Sequence, residues 1–136
     1  MRAKDFMESV RRANADLQVL ADQRQHLMQL GGALGANITG VPGSTDKHSR
    51  VEAAAVQMVM LDIDGKLSEY GKLLRTGMEL VGEIPADNFR KVLIYYYFQG
   101  LSWSEVGKMV GYKDDKSVYH ARDHALRALQ QVMDGK

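Results

Sequence analysis

Residues 89–129, FRKVLIYYYFQGLSWSEVGKMVGYKDDKSVYHARDHALRAL, decide the fold. Phe89, Val92, Leu93, Tyr96 and Tyr97 recur at helical spacing, and Gly100 follows the last apolar turn, where a left-handed residue closes a helix. Ser102 stands three residues before Glu105, the spacing of a capping box in which each side chain satisfies the other's free backbone amide. Trp103, Val106 and Val110 then form one apolar stripe, so a second, short helix is specified. Gly111 ends it. The polar run from Tyr112 to Asp115 offers Asp114 or Asp115 as the cap of a third helix reaching about Val132.

At about 100° per residue, Val118, Ala121, Ala125, Leu129 and Val132 share one face of that third helix, which must be core. The opposite face holds Lys116, His120, Asp123, His124 and Arg127, with Ser117 and Tyr119 on its flanks and Lys113 in the turn. Lysine and arginine neutralise phosphates or bind guanine edges, and serine, tyrosine and histidine bond to phosphates or base edges. The set suits readout of double-stranded DNA. An ordinary solvated helix face is the plain alternative, but two short helices, a tight turn and a longer outward-facing helix match the helix-turn-helix arrangement that enters a major groove. Arg122 lies near the core edge, where pairing with an acidic residue such as Glu105 is expected.

The stretch GLSWSEVGKMVGYKDDKSVYHARDHALRALQ resembles region four of bacterial sigma factors, through Leu101, Ser102, Glu105, Val106, Gly107, Gly111, Val118, Ala125, Leu126 and Leu129. With its long helical preface and glycine-rich interruption, the whole chain resembles small phage transcription regulators of the ArpU and RinA type. The resemblance implies a sigma-like DNA-binding domain, a role in activating phage late genes, and contact with RNA polymerase. There are two departures. The turn between Gly111 and Val118 has one more residue than the usual sigma pattern. Where sigma factors open the recognition helix with several arginines, this chain has Asp115, Lys116, Ser117, Tyr119 and His120, so the DNA sequence read differs from a standard promoter element.

Upstream the chain changes character. Phe6, Val10, Ala13, Leu17, Leu20 and Leu27 are spaced by alternating fours and threes, interrupted at Arg24. A second heptad seam runs through Val56, Met60, Ile63, Leu67, Tyr70, Leu74 and Val81, with Gly77 at the remaining position. Between the seams, GGALGANITGVPGSTDKHS carries five glycines and a proline and reads as a flexible connector over about 31–48, with Ser49 and Glu52 as a capping box for the second helix. The glycines lack the Gly-Lys-Ser/Thr ending of a phosphate-cradling loop. The seams pair either as an antiparallel hairpin within one chain or between chains, and the residues do not choose. A homo-oligomer, with a dimer favoured, is expected because long narrow helices rarely bury an apolar stripe alone and DNA readers commonly pair.

The expected architecture is therefore all-α: residues 1–84 form a long helical hairpin or coiled coil that serves oligomerisation, and 85–136 form a sigma-region-four-like helix-turn-helix domain. A length of 136 residues at 45% hydrophobic is enough for one modest domain with a helical arm. There are no cysteines, no apolar run approaches the roughly 20 residues needed to span a bilayer, and MRAKDFMESVRRAN lacks a secretory apolar core, so the cytoplasm of a bacterial host is expected. Residues 1–88 carry a net charge of −2 and 89–136 a net charge of +3, which puts the positive balance in the C-terminal module.

Catalysis finds little support. His120 and His124 are four apart on a helix, but Ala121 stands where a zinc protease needs its glutamate, and His26 and His48 have no ligand cluster beside them. Asp62 and Asp64 point to different sides of a helix and read as solvated. Tyr96 and Tyr97 suit the core better than base stacking, and Tyr95 suits the surface. No cofactor or metal is expected. The reading is a sequence-specific DNA-binding transcription regulator; the alternatives are a phage small terminase subunit that packages DNA, and a helix-turn-helix module that binds protein.

Overall fold

The computed structural model describes residues 1–39 and 47–136, and among these every regular element is helical. The helices are α1 (Ala3–Thr39), α2 (Lys47–Gly82), α3 (Asp87–Leu93), α4 (Trp103–Val110) and α5 (Asp115–Asp134), with α3 running on into a π-helical turn, Ile94–Phe98. Two compact units result, Met1–Asp16 with Tyr70–Lys136, and Leu17–Glu69. The outer ends of both long helices thus group with the C-terminal helices, whereas the sequence suggested a border at 84/85.

The buried face at the start of α1 explains this grouping. Ala3, Phe6, Met7, Val10 and Ala13 are all buried, a wider face than a two-position seam, because it meets more than one helix. Phe6, Met7 and Val10 join Val81, Ile84, Leu93, Tyr97, Ala125 and Leu129 in one cluster. Polar ties accompany it: the Ala3 amide donates to Gln130 Oε1 (2.7 Å), and Asn14 Nδ2 donates to the Phe98 carbonyl (2.6 Å). Gly77, the seam position without a side chain, is filled from outside. A Cβ there would lie 3.0 Å from Phe98 Cζ and 3.2 Å from Val10 Cγ2.

In the unit Leu17–Glu69 the two seams face each other within the chain. Ile63 is buried, Leu17, Leu20, Leu27, Val56, Met60 and Leu67 are half-buried, and Arg24 Nε donates to Asp64 Oδ1 at 2.5 Å. The partners run in opposite directions, since Val10 lies against Gly77 while Arg24 meets Asp64. The residue that interrupts the first seam is therefore an ionic rung, and Asp64 is paired with it, while Asp62 is exposed. With both side chains more than a third exposed, such a pair is worth about 0.2–1 kcal/mol.

The glycine-rich stretch is more helical than its composition suggested. α1 continues through Gly31, Gly32 and Gly35 to Thr39, and α2 begins at Lys47, so His48 and Ser49 lie inside a helix and Ser49 is not its cap. Each helical glycine costs about 1 kcal/mol against alanine, and a helix already running gains a hydrogen bond per residue, so dispersed glycines do not stop it. Residues 40–46, with the proline of the expected connector, lie outside the described residues.

Candidate nucleic-acid interface

Local chemistry fixes α4 and α5. The Ser102 hydroxyl oxygen accepts from the Glu105 amide (3.2 Å), and the hydroxyl in turn donates to Glu105 Oε1 (3.1 Å), so the carboxylate binds the capping hydroxyl instead of the backbone amide that a full capping box uses. Gly111 adopts φ +96°, and the amides of Gly111 and Tyr112 both donate to the Gly107 carbonyl, at 2.9 and 2.8 Å. Upstream, Gly100 at φ +74° closes the π-helical turn. Asp114 caps α5, its Oδ1 accepting from the Ser117 amide at 2.8 Å. That hydrogen bond holds the Asp114 carboxyl below its usual value, with smaller help from Lys116 and His120.

The crossing of α4 and α5 is set by a missing side chain. A Cβ on Gly107 would lie 2.6 Å from Val118 Cγ2, so only glycine allows this approach. The inner face of α5 is buried as its spacing requires, with Val118, Ala121, Ala125 and Leu129 at 5% exposure or less and Val132 half-buried.

The outer face carries the residues singled out in the sequence. Lys113, Lys116, Tyr119, His120, Asp123, His124 and Arg127 are exposed, and Ser117 is half-buried. They are not equivalent. Asp123 pairs with Arg122 (3.0 Å), and His124 stacks on Phe89, ring centres 6.1 Å apart. Lys113, Lys116, His120 and Arg127 make no hydrogen bond or ion pair among the described residues, which leaves four groups that can be cationic free to meet a polyanion. Ser104 and Lys108, exposed one turn apart on α4, join Lys113 and Asp115 around a small cleft of about 100 Å³ between α4 and α5. Sequence reasoning missed this pair. Their i, i+4 spacing on the polar side of α4 was the available signal.

Beside this face runs a stacked column that the sequence did not disclose. The Arg11 guanidinium lies 4.2 Å from the centre of the Tyr96 ring, and Tyr96 stacks on Trp103 at 3.7 Å and 9°. Arg122 then sits 5.8 Å from the Trp103 ring and 5.1 Å from Tyr119. Trp103 is half-buried on the stripe with Val106 and Val110, and Tyr97 is buried. Burial pushes the Tyr97 hydroxyl up to about 12. Tyr95 is half-buried against Val92, Val106 and Ala121, more deeply placed than expected. Arg122 uses two aromatic faces and Asp123, its neighbour in the chain, not Glu105, whose Oε1 accepts from the Ser102 hydroxyl.

Among the described residues no three His, Cys, Asp or Glu side chains are placed to hold a metal ion, and no helix is long and apolar enough to cross a membrane. No family model, curated protein or solved structure matches this chain.

Proposed function

We propose that this chain is a sequence-specific DNA-binding transcription regulator, acting as a homo-oligomer, whose helix-turn-helix reads double-stranded DNA with the outer face of α5. One observation carries the reading. A capped α4, a glycine turn and a capped α5, crossing at Gly107, present Lys113, Lys116, His120 and Arg127 together, exposed and without a hydrogen bond or ion pair among the described residues. Charged side chains held outward on α5 and in the turn before it, with no hydrogen bond or ion pair among the described residues, suit the major groove, where lysine and arginine bind phosphates or guanine edges. Ser104 and Lys108 add phosphate contacts from α4. Activation of phage late genes is proposed from the resemblance of the whole chain to phage regulators of the ArpU and RinA type, and contact with RNA polymerase from the sigma-factor resemblance of residues 100–130.

Selection from a random double-stranded DNA pool tests the reading. A bound consensus is expected, and replacing Lys116 and His120 with alanine should weaken that site about tenfold or more, since one base contact is worth about 1–3 kcal/mol. Helicity should not change. A pool that never enriches, with affinity uniform across sequences, overturns the proposal.

A further inference from the structure

A groove of about 620 Å³ opens between α1 and the end of the π-helical turn, lined by Glu8, Arg11, Arg12, Asn14, Tyr96 and Gly100. All six belong to the unit Met1–Asp16 with Tyr70–Lys136, and the turn is fastened to α1 by the hydrogen bond from Asn14 Nδ2 to the Phe98 carbonyl. Arg11 and Arg12 are exposed and make no hydrogen bond or ion pair among the described residues. Arg11 is nonetheless held in place. Its guanidinium lies over the Tyr96 ring, and a stacked guanidinium uses its face there while its N–H edge stays open to an oxyanion.

Phosphate is a ligand that such an edge recognises, and the position of the groove says whose phosphate it is. Tyr96 stacks on Trp103, the first residue of α4, and through Arg122 the column reaches Tyr119 on the outer face of α5. Gly100 stands two residues before Ser102, the cap of α4. When a recognition helix enters a major groove, the helix before it crosses the sugar-phosphate backbone, so the start of α4 and the groove beside it lie towards that backbone. We infer that Arg11 and Arg12 bind phosphates flanking the base-reading site, a sequence-independent contact supplied by α1; the inference rests on the DNA reading above. Glu8, one turn before the two arginines, puts a negative charge in the same groove. With two cations to one anion, it weakens the attraction without cancelling it.

The test is titration of the full chain with a random duplex and with the selected site over a range of salt concentrations. Each phosphate neutralised adds about 0.9 to the steepness with which log affinity falls against log salt, so Arg11→Ala with Arg12→Ala should reduce it by about 1.8. Both duplexes should weaken by the same factor, whereas Lys116→Ala with His120→Ala changes the preference between them. Glu8→Gln, which leaves Arg11 on Tyr96, should tighten both. Arg75→Ala is the control. Arg75 is exposed and two residues from Gly77, hence on the side of α2 away from Val10, and its loss should leave the salt slope as it is. A purely structural role for Arg11 would lower the melting temperature without moving the slope. An unchanged slope in the double variant overturns the inference, and a selected consensus then leaves the DNA reading standing; a reduced slope with no consensus overturns sequence-specific reading and keeps the backbone contact. A chain that binds neither duplex overturns both. Trp103 fluorescence that saturates with inorganic phosphate alone, the slope being unchanged, would give the groove to a free anion and overturn the inference as well.

Discussion

Around Tyr97 three or more helices converge on side chains that are fully buried, whereas around Arg24 two helices meet along a single half-buried line with an ion pair in it. The difference is geometric. A helix touching one neighbour can hide only a narrow stripe, so Leu17, Leu20 and Leu27 stay partly wet although their spacing is as regular as that of Val118, Ala125 and Leu129. Burial, and the stabilisation that scales with it, depends on how many elements surround a residue as well as on its type.

The sharpest way to break this comparison is to make the same truncation in both units. Leu129→Ala removes a fully buried side chain and should cost about 2–5 kcal/mol, while Leu27→Ala, half-buried, should cost about 1 kcal/mol. The single tryptophan, Trp103, reports only on the unit Met1–Asp16 with Tyr70–Lys136. Leu129→Ala should therefore lower the melting midpoint seen by fluorescence, and Leu27→Ala should shift the far-ultraviolet melting curve with little change in fluorescence. Equal shifts in both signals would show that the two units melt as one.

A smaller effect is expected at the crossing of α4 and α5. Gly107→Val forces a Cβ against Val118 and should cost about 1–3 kcal/mol, as overpacking does. Val118→Ala in the same chain should recover part of the loss, and the recovery measured in a double-mutant cycle is the coupling of the two sites. Simple addition of the two losses would mean that the contact does not set the crossing.

The smallest effect is electrostatic. Asp114 is exposed, and its carboxyl is held below 3.8 by the Ser117 amide, so its capping contribution is complete above that value and fades as the pH falls through the folded-state pKa. Asp114→Asn should thus melt below wild type at neutral pH and converge with it in acid. Tyr97 acts in the opposite direction. Its raised pKa means that stability is complete below the ordinary tyrosine value of 10 and declines as the pH rises from there towards about 12. A melting temperature that stays flat between those values would show that Tyr97 is more open to solvent than its 2% exposure indicates.

Sequence alone determined the helices and much of their ends. Ser102, Gly111 and Asp114 act within three residues of themselves, through side-chain or backbone bonds that need no distant partner, and the face of α5 that is buried follows from a period of 3.6. The exposed cationic face was legible for the same reason, being the complement of the buried one. Tertiary structure decided the rest. That Arg24 is a rung and not a break, that Gly77 is filled by Phe98, that Arg122 lies over Trp103, and that the start of α1 belongs with α5 all rest on pairs 19 or more residues apart. Such contacts are chosen by the space left when helices pack, and a one-dimensional pattern does not contain that space.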